Sequence, residues 1–521
     1  MSTTYGLRRA MLLNRDGAAV LFENRRKTWT ELGDRVARLA GALTSLGVGK
    51  GDRVAVLMLN QDRYVELYLG VAWAGAVIVP LNIRWSASEN EDSLRDCRPK
   101  LLVVDATFAR VGAQLVQTIG AIGLVYADDA PTQSLPAATA NYEDLLAAAP
   151  PVPDAEAAET DLAGIFYTGG TTGRAKGVML SHRNLMSNAR NLATELRPED
   201  NAVYLHAAPM FHLADAGALF AYLLAGAAHA IIRTFTPEAL ARAVAAFRVT
   251  DALLVPTMIQ MFVDYPGLAS YELASLRKVI YGASPISEAV LDRAIAKLPN
   301  AEFVQAYGMT ELSPVATFLP WKDHVGAGRA KGRHRSGGRP AIMVDVRVVD
   351  PMGKLVPPRV VGEIVARGDT VMMGYWERPE ETKKAVIDGW MHTGDGGYMD
   401  EDGYVYVVDR IKDMIISGGE NIYSVEVENC VAQHPAVAQC AVIGIPSERW
   451  GETVHAIVMR KPGAEVTADD IIAFCKDRIA GYKCPRSVDI QDHTLPLSGA
   501  GKILKRELRR PFWERQERQV G

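Results

Sequence analysis

Cysteine is scarce in this sequence, and the few cysteines are spaced too widely for a metal site or a redox pair. The five are Cys97, Cys430, Cys440, Cys475 and Cys484, and no two of them form a Cys-x-x-Cys motif. An odd, sparse set of this kind is typical of reduced thiols in a cytosol and argues against a disulfide framework.

Long apolar runs are missing as well. No window approaches the ~20 uninterrupted apolar residues that a membrane-spanning helix needs. The N-terminal region reaches charged residues at once and contains no apolar signal-peptide core. We therefore expect a cytoplasmic protein without an integral membrane segment.

Neither charge sign dominates the composition. The 57 Lys and Arg residues against 61 Asp and Glu residues give a net charge of −4, which offers no general reason to expect nucleic acid or an anionic membrane as a partner. The basic run 329–335 is the exception, and we expect it to be a solvated surface loop. At 521 residues the chain is too long for one core, so two or more domains are expected.

Apolar runs alternate with helical patterns along most of the chain. Segments 53–58 and 101–105 predict buried strands, and 65–76 predicts a helix between them. This alternation favours α/β layers with largely parallel sheets. Segment 147–158, rich in Ala and Pro, is typical of a connector.

The pattern changes after Val360. Segments 362–368 and 403–409 alternate as antiparallel strands do. A smaller α+β unit is predicted beyond 412–414. Its expected elements are a helix over 424–433, strands over 438–445 and 453–459, and a helix over 468–479.

The segment 165–177, Ile-Phe-Tyr-Thr-Gly-Gly-Thr-Thr-Gly-Arg-Ala-Lys-Gly, is the most informative part of the chain. Apolar and aromatic residues run into a loop of small, hydroxylated residues that closes on Lys176. Backbone N–H groups and hydroxyls of such a loop can reach phosphate oxygens, and a lysine can supply the counter-charge. The common P-loop spacing is absent. The loop alone predicts phosphate binding, with a flexible Gly/Thr turn as the alternative.

Further short motifs follow in a recognisable order. They are Tyr-Gly-Met-Thr-Glu at 307–311, His-Thr-Gly-Asp at 392–395, Asp-Arg-Ile-Lys-Asp at 409–413, Ser-Gly-Gly-Glu-Asn at 417–421 and Pro-Leu-Ser-Gly-Ala-Gly-Lys at 496–502. Together they resemble the adenylate-forming superfamily of acyl-CoA synthetases, peptide-synthetase adenylation domains and luciferases. The resemblance spans 28–502. One departure is Gly169, where the family usually has Ser.

The resemblance implies a fold and a domain division. We expect a large multi-subdomain N-terminal domain with α/β layers over 1–409, carrying the AMP-binding site and the acyl pocket. A small, mobile α+β lid domain is expected over 410–521, joined by a hinge at 409–412. Rotation about this hinge would separate two half-reactions, adenylation of an acid and transfer of its acyl group to CoA.

The resemblance also implies an ATP site. The predicted phosphate contacts are Thr168, Gly169, Gly170, Thr171, Thr172, Gly173 and Lys176. The predicted adenine slot consists of Gly282, Ala283, Ser284, Gln305, Ala306, Tyr307 and Gly308, because an aromatic face opposite bare backbone suits a flat purine. Asp395 and Arg410 are expected to bind the ribose hydroxyls.

Four residues are predicted to act in catalysis. Lys502 would bridge the carboxylate and the α-phosphate, and Thr310 would contact that phosphate. Glu311, with Thr172, would hold Mg²⁺, a hard cation that prefers few carboxylates and many phosphate and water oxygens. His212 matches the aromatic gate between the ATP and acyl sites. A structural core histidine is the alternative for His212.

A CoA path is implied as well. Gly418 and Gly419 would line the pantetheine tunnel, where a side chain would block passage. Trp450 and Tyr482 are predicted walls for the CoA nucleotide. Lys483 or Arg486 would contact its phosphates. Cys484 replaces an arginine of some relatives, which leaves those contacts open.

The acid is expected to be an aromatic or medium-chain aliphatic monocarboxylic acid. Relatives that activate amino acids have an aspartate directly after the gate motif, whereas this chain has Leu213. Asp215 is expected to be a helix-surface acid, with a hydrogen bond to a phenolic substrate as the alternative. No arginine appears among the segments predicted to line the acyl pocket. A second carboxylate would therefore lack a partner, which disfavours diacids. The predicted pocket residues are Leu213, Ala214, Gly217, Val255, Met258, Tyr281, Met309 and Val315.

The sequence therefore predicts an AMP-forming acid:CoA ligase that uses ATP, Mg²⁺ and CoA. Three alternatives stay open: an enzyme that loads a carrier protein, a luciferase-like oxygenase and a non-catalytic nucleotide-binding module. The last is disfavoured because Lys176, Glu311, Asp395, Arg410 and Lys502 are all present. A homodimer is left open.

Overall fold

The computed structural model describes residues 1–130, 135–136, 139–169, 175–284, 286–411, 413–497 and 503–514, with the backbone alone at Asn421. The chain divides into two compact units. Unit 1 comprises Met1–Ala283, Ala294–Val346 and Ala366–Met391. Unit 2 comprises Ser284–Arg293, Arg347–Val365 and His392–Gly521.

The strands up to residue 282 come first in chain order. They are β1 Ala18–Phe22, β2 Arg25–Thr28, β3 Arg53–Leu57, β4 Val77–Pro80, β5 Leu101–Val104, β6 Gly123–Tyr126, β7 Ala140–Asn141, β8 Leu162–Thr168, β9 Lys176–Ser181, β10 Val203–His206, β11 Ala228–Ile231, β12 Asp251–Leu253 and β13 Lys278–Gly282. The later strands are β14 Glu302–Gly308, β15 Val315–Leu319, β16 Arg339–Pro340, β17 Val344–Val349, β18 Gly362–Gly368, β19 Gly374–Tyr375, β20 Val386–Ile387, β21 Trp390–Met399, β22 Val405–Arg410, β23 Ile415–Ser417, β24 Glu420–Ile422, β25 Val437–Ser447, β26 Gly451–Arg460 and β27 Ser487–Gln491.

The helices alternate with these strands. They are α1 Tyr5–Leu13, α2 Trp29–Ser45, α3 Asp62–Trp73, α4 Ala87–Cys97, α5 Ala109–Ile119, α6 Tyr142–Ala148, α7 His182–Leu196, α8 Leu213–Ala225, α9 Pro237–Phe247, α10 Pro256–Val263, α11 Glu288–Lys297, α12 Trp321–His324, α13 Gly326–Ala330, α14 Pro379–Ala385, α15 Ser424–Val431, α16 Ala468–Lys476 and α17 Lys505–Trp513. Short 3₁₀ turns cover Leu268–Ser270, Thr310–Leu312 and Arg333–Arg335.

Unit 1 contains two large, mainly parallel sheets. The nine-stranded sheet has the order β16-β15-β14-β13-β12-β10-β11-β1-β2, and its strands from β14 to β1 are parallel. The eight-stranded sheet has the order β19-β9-β8-β4-β3-β5-β6-β7, with an antiparallel pair at β8 and β9. Strands β4, β5 and β11 are buried along their whole length. Strands buried on both faces read as continuous apolar runs, which is the pattern that the sequence shows.

A third sheet has the order β17-β18-β21-β20, with β22 also paired to β21. The division between the units falls within the sequences of β17, β18 and β21. Its hairpin β21–β22 places Asp395 directly opposite Arg410. This sheet matters for function because it presents the predicted ribose contacts.

The rest of unit 2 is a small α+β fold. Its sheet has the order β24-β23-β26-β25, with β27 paired to β26. Helices α15 and α16 contribute to its apolar core, which includes Ile415, Val427, Val442, Ala456 and Ile471 at 0% exposure. All five cysteines of the chain are free thiols.

The predicted fold class, α/β with a large N-terminal domain and a smaller C-terminal one, is confirmed. The predicted helix over 65–76 begins earlier, at Asp62. It ends at Trp73, before the predicted end, and Asp62 and Arg63 in its first turn are both buried in ion pairs. The domain boundary at residue 409 stays a prediction.

The basic run 329–335 is exposed at Ala330, Lys331 and Arg335, but the prediction that it is a loop is wrong. It contains the end of α13 and a 3₁₀ turn over Arg333–Arg335. Arg333 lies 3.4 Å from the Asp323 carboxylate. Local helical hydrogen bonds and this ion pair give the run a defined structure.

Candidate functional site

The predicted phosphate loop connects two paired strands of the eight-stranded sheet. β8 and β9 run antiparallel, with Tyr167 opposite Gly177 and Thr168 opposite Lys176. The Thr168 hydroxyl donates to the Lys176 carbonyl oxygen over 3.5 Å. The hairpin therefore holds the two ends of the loop, and Gly169 follows β8 directly. The predicted phosphate contacts that lie outside the described residues are Gly170, Thr171, Thr172 and Gly173.

We call the hairpin formed by β8 and β9 the phosphate hairpin. A buried tyrosine links it to Glu311, the predicted Mg²⁺ ligand. Tyr375 lies on β19, which pairs with β9, and it is 8% exposed. Its hydroxyl donates to Glu311 Oε1 over 2.9 Å. Lys176 Nζ lies 5.0 Å from the centroid of its ring, a distance at which an ammonium is attracted to an aromatic face. One side chain thus contacts both predicted site residues.

Sequence reasoning missed Tyr375. The available signal was Gly374-Tyr375-Trp376, two adjacent aromatic residues in a chain with only 7% aromatic content. Just before this segment, the Met372 N–H donates to the Glu311 carbonyl oxygen over 2.9 Å and so supports the Glu311 backbone.

The surroundings of Glu311 suit Mg²⁺. Glu311 lies beside Thr310 in the 3₁₀ turn and is 6% exposed. Among the described residues no group of three or more His, Cys, Asp or Glu could hold a metal ion alone. Mg²⁺ commonly uses one or two carboxylates and takes its other ligands from substrate phosphates and water. The donor set therefore fits a cation that binds together with a phosphate chain.

The predicted adenine slot lies where two parallel strands end. β13 and β14 are paired, with Gly282 opposite Ala306. A Cβ atom at Gly282 would lie 2.1 Å from the Ala306 carbonyl oxygen, so only glycine fits there. Tyr307 and Gly308 complete β14. Ligands of open α/β sheets usually bind outside the carboxyl ends of the strands, which is where these residues stand.

Two other residues of this region have defined conformations. Ala283, directly after β13, has a φ of +65°, in the left-handed region. The Gln305 side chain accepts a hydrogen bond from the Tyr281 hydroxyl over 3.2 Å. Ser284 follows Ala283 and begins a segment of unit 2.

His212 stands at the N-terminus of α8. Its Nδ1 accepts from the Ala214 N–H over 3.2 Å, so the proton of a neutral ring is on Nε2. Helix capping of this kind fixes the ring relative to the first turn of α8. The gate assignment of His212 stays a prediction.

The predicted ribose contacts are paired within unit 2. Arg410 Nε lies 2.7 Å from Asp395 Oδ1, and the Asp395 side chain is 9% exposed. The turn before Asp395 is fixed by Glu363, whose carboxylate bonds to the His392 ring over 2.8 Å and accepts from the Gly394 N–H over 3.0 Å. Thr393 donates to the Ile364 carbonyl oxygen over 2.6 Å. Sequence reasoning did not find Glu363, because it belongs to a different strand.

The predicted CoA residues lie together in unit 2. The Gly418 N–H donates to the Trp450 carbonyl oxygen over 2.8 Å. A Cβ atom at Gly418 would lie 2.8 Å from Trp450 Cε3, and Gly418 and Gly419 have φ values of +62° and +87°. The guanidinium carbons of Arg449 and Arg486 lie 4.6 Å and 5.2 Å from the Trp450 ring centroid. Arg449 was not predicted from the sequence.

The remaining candidates for the CoA phosphates differ in their contacts. Lys483 Nζ lies 2.7 Å from Glu426 Oε1, whereas Tyr482 is exposed. Cys484 is 3% exposed and packs in the core of unit 2. Its thiol is within 3.6 Å of the Ala480 carbonyl oxygen. Position 484 therefore serves packing.

The predicted acyl wall is apolar and mainly buried. Leu213, Val255, Met258 and Val315 are each less than 9% exposed. Gly217 lies against Pro314, since a Cβ atom there would be 2.8 Å from Pro314 Cδ. Tyr281 is fully buried, and its hydroxyl bonds to His324 Nε2 over 2.8 Å. Met309 precedes the 3₁₀ turn. Their assignment to a pocket stays a prediction.

Asp215 was wrongly expected on the helix surface. It is 0% exposed and accepts from the Tyr204 hydroxyl over 3.1 Å. His206 Nδ1 lies 2.5 Å from its other oxygen. Protein partners thus engage both carboxylate oxygens, so Asp215 adds no free charge to the acyl wall.

Lys502, the predicted adenylation lysine, lies outside the described residues. No helix in the described part of the chain has the length and apolar character needed to cross a bilayer.

Comparison with known protein families decides the classification. Residues 7–376 match the AMP-binding enzyme family, and residues 426–502 match the AMP-binding enzyme C-terminal domain. The chain belongs to the AMP-binding enzyme family. The predicted membership of the adenylate-forming superfamily is thereby confirmed, and so is the prediction of an enzyme.

Similar members of this family cover nearly the whole chain. A feruloyl-CoA synthase from Amycolatopsis sp is 41% identical over 93% of this chain and 94% of its own length. The fatty acid–[acyl-carrier-protein] ligase ScoC from Streptomyces coeruleorubidus is 37% identical over 96% of this chain and 95% of its own. The crystal structure of ATP-bound MatB from Rhodopseudomonas palustris is 31% identical and superposes with a TM-score of 0.87, covering 98% of this chain and 99% of that one.

Proposed function

We propose that this AMP-binding enzyme is an ATP-dependent acid:CoA ligase that releases AMP and pyrophosphate. The observation that supports the proposal is the group formed by Lys176, Tyr375 and Glu311, in which one buried tyrosine contacts both the predicted phosphate-binding lysine and the predicted Mg²⁺ carboxylate. The predicted acid:CoA ligase class is confirmed by the feruloyl-CoA synthase relative, which is similar over nearly its full length.

In the first half-reaction the acid's carboxylate oxygen attacks the α-phosphorus of ATP. An O–P bond forms, and the bond from the α-phosphorus to pyrophosphate breaks. The negative charge that develops is best stabilised by groups fixed before the reaction. We assign Lys176 to the terminal phosphates, Thr310 and Lys502 to the α-phosphate, and Glu311 to Mg²⁺, which would neutralise the phosphate chain when bound.

In the second half-reaction the CoA sulfur attacks the carbonyl carbon of the acyl-adenylate. A C–S bond forms, the C–O bond to AMP breaks, and the thiol proton passes to solvent. Gly418 and Gly419 are assigned to the pantetheine path, and Trp450 to the CoA nucleotide. Gly418 and Trp450 are in contact, which supports their assignment to one surface. A side chain at position 418 would displace the Trp450 indole.

For the acid we propose an aromatic or medium-chain aliphatic monocarboxylate. The predicted wall is apolar, and both carboxylate oxygens of Asp215, the acid nearest to the gate motif in sequence, are engaged by Tyr204 and His206. A wall without a free charge favours an uncharged acyl group. The relatives' names support both classes, since one acts on a feruloyl group and another on fatty acids.

The cofactors and surroundings follow from the same proposal. ATP and CoA are the co-substrates of the ligase reaction, and Mg²⁺ is the proposed cation. We propose the cytoplasm as the compartment, which five free thiols support. The homodimer stays an untested prediction.

The test is release of AMP and pyrophosphate from MgATP across a panel of aryl and aliphatic acids, each with and without CoA, with mass spectrometry of the thioester. CoA-dependent turnover with acyl-CoA product is expected. Replacing Ala214 by Leu should shift preference towards shorter acids without changing KM for ATP. Ala214 is preferable to Gly217 for this test, because a side chain at Gly217 would collide with Pro314. An unchanged acid ranking would mean that the pocket is misplaced.

Loading of a carrier protein is the second candidate, favoured by the similarity to ScoC. The adenylation half-reaction would be the same, but the acceptor would be a carrier-bound thiol. Pyrophosphate in stoichiometric amounts, unaffected by CoA and converted to turnover by a holo carrier protein, would select this acceptor. Multiple turnovers with CoA in the absence of a carrier protein would show that the enzyme does not require a carrier protein.

A further inference from the structure

A hydrogen bond between two buried side chains joins the two ends of the segment that carries the predicted gate histidine. We define the gate segment as residues 207–212, between β10 and α8. His206, which ends β10, and Asp215, in the first turn of α8, lie 2.5 Å apart between Nδ1 and Oδ2. Both side chains are 0% exposed. A carboxylate can only accept, so His206 Nδ1 carries the proton of this hydrogen bond. The bond fixes the two ends of the gate segment relative to each other.

Neighbouring side chains hold this pair in place. The Tyr204 hydroxyl donates to Asp215 Oδ1 over 3.1 Å. His206 Nε2 lies 3.0 Å from His229 Nδ1, and the two imidazole rings are stacked with centroids 5.3 Å apart. Burial lowers the pKa of His229 well below its ordinary value, so this ring is neutral. The network therefore joins β10, β11 and α8 without access to water.

A second contact holds the middle of the gate segment. Asn60 Oδ1 accepts from the Met210 N–H over 2.8 Å, and its Nδ2 donates to the Ala208 carbonyl oxygen over 2.8 Å. The Tyr68 hydroxyl donates to the Met210 carbonyl oxygen over 2.7 Å. Asn60 and Tyr68 are 5% and 2% exposed. Buried backbone groups of a loop need such partners, because leaving them unpaired is costly.

We propose that Asn60, Tyr68, His206 and Asp215 are positioning residues that hold the gate segment in one arrangement and thereby set the acid specificity. None of them is assigned to a substrate contact. They act through His212, Leu213 and Ala214, which follow the clamped backbone directly. The specificity part of this inference rests on the proposed function, whereas the clamping of the segment does not.

A matched control exists in the same sheet. Asp251 on β12 is also buried, at 4% exposure, and accepts from the Tyr222 hydroxyl over 2.9 Å. The Tyr222 and Tyr204 rings are stacked, with centroids 4.3 Å apart. Among the described contacts, Asp251 makes none with the gate segment. Loss of its charge should therefore disturb the core, including the ring stack on Tyr204, while the hydrogen bonds of the gate segment itself stay in place.

The first measurement is amide hydrogen exchange of the peptides that cover 207–214, which needs no activity. We expect Asn60→Ala and Asp215→Asn to speed exchange there about tenfold, because each removes a constraint of the order of a buried hydrogen bond. Tyr68→Phe keeps the ring and is the milder variant, with a smaller increase. Asp251→Asn should leave these peptides unchanged. Equal protection in all variants would overturn the clamp.

The second measurement separates positioning from a merely structural role. Once the wild-type enzyme shows thioester formation, KM for the acid should rise about tenfold in Asn60→Ala and Asp215→Asn, with KM for ATP within twofold. Their ranking of aryl and aliphatic acids should flatten. Asp251→Asn should lower Tm without either effect. Variants that lose Tm but keep wild-type acid kinetics, like the control, would overturn the specificity role.

The two failures are distinguishable. If no acid supports turnover of the wild-type protein, the proposed function fails, and hydrogen exchange still decides the clamp. If Asn60→Ala or Asp215→Asn does not fold, Tyr68→Phe decides it, since only one hydroxyl is removed. Wild-type exchange and wild-type acid ranking in a folded Tyr68→Phe variant would contradict the proposal.

Discussion

Two buried carboxylates of unit 1, Asp62 and Glu311, are held in different ways. Asp62 is 1% exposed and bonds to the guanidinium of Arg25 over 2.7 Å and to the Lys27 ammonium. Glu311 is 6% exposed and accepts from a neutral phenol, Tyr375, over 2.9 Å. Fixed cations neutralise Asp62 permanently. The Tyr375 hydroxyl is a neutral donor, so this hydrogen bond orients the Glu311 carboxylate without itself adding a positive charge.

The same contrast appears in the ionisation of Asp62. Burial by itself would raise its pKa, but the hydrogen bonds and charges of Arg25 and Lys27 outweigh burial and lower the pKa to about 2. A buried ion pair of this kind contributes mainly because breaking it leaves an uncompensated charge. We propose that Asp62 serves the fold and Glu311 the chemistry, and substitutions should separate the two.

The largest effect is expected for Glu311→Gln. The amide keeps an oxygen for the Tyr375 hydroxyl but loses the negative charge that would bind Mg²⁺, so kcat/KM for MgATP should fall about 10³-fold. Tm should change little. Pyrophosphate release and calorimetry measure both quantities. A large loss of Tm with normal turnover by the folded fraction would reverse our assignment.

Asp62→Asn should produce the opposite result. Removing one partner of a buried ion pair leaves the cations uncompensated, so the free energy of unfolding should fall by about 3 kcal/mol. Turnover per folded molecule should be unchanged. Denaturant unfolding and active-site titration test this, and a loss of turnover at full stability would give Asp62 a functional role.

The dependence of stability on pH should reveal the same residue. The ordinary pKa of Asp62 is 3.8 and its folded-state pKa is about 2. Its contribution is therefore fully present above about pH 4 and lost as the pH falls through about 2. The loss amounts to about 2 kcal/mol. Unfolding measured between pH 7 and pH 2 should show a shallower acid limb in Asp62→Asn, and parallel curves would contradict the assignment.

The smallest effect is expected for Tyr375→Phe. The ring stays beside Lys176, but Glu311 loses one hydrogen bond that orients it. KM for Mg²⁺ should rise about three- to tenfold, with the acid ranking unchanged. Titration of activity with Mg²⁺ at saturating ATP measures this. The variant sharpens the comparison, because a shift in acid ranking would mean that Tyr375 does more than orient the carboxylate.

The parts of the site that could be predicted are those in which neighbours in sequence make the feature. The loop 165–177 connects two paired strands, and the ends of β13 and β14 carry the predicted purine slot. The strands and the loop of small residues follow from local patterns of apolar and glycine residues. Family resemblance supplied their roles.

The parts that could not be predicted join residues far apart in the chain. Tyr375 and Glu311 are separated by 64 positions, and Asn60 and Met210 by 150. Asp215 was assigned to the surface because an acid in a helix is usually exposed. Its burial depends on Tyr204 and His206, and no local pattern in the sequence predicts such partners.

By itself, the sequence determined the α/β architecture, the glycine-rich loop after a buried strand and the membership of the AMP-binding enzymes, since periodicity, glycine placement and short motifs are local properties. Only the tertiary structure decided which partner each buried carboxylate meets. The pairing of Asp62 with Arg25, of Asp215 with His206 and of Glu311 with Tyr375 arises from packing. Burial removes each carboxylate from water, so its ionisation and its role depend on the partner that packing places beside it.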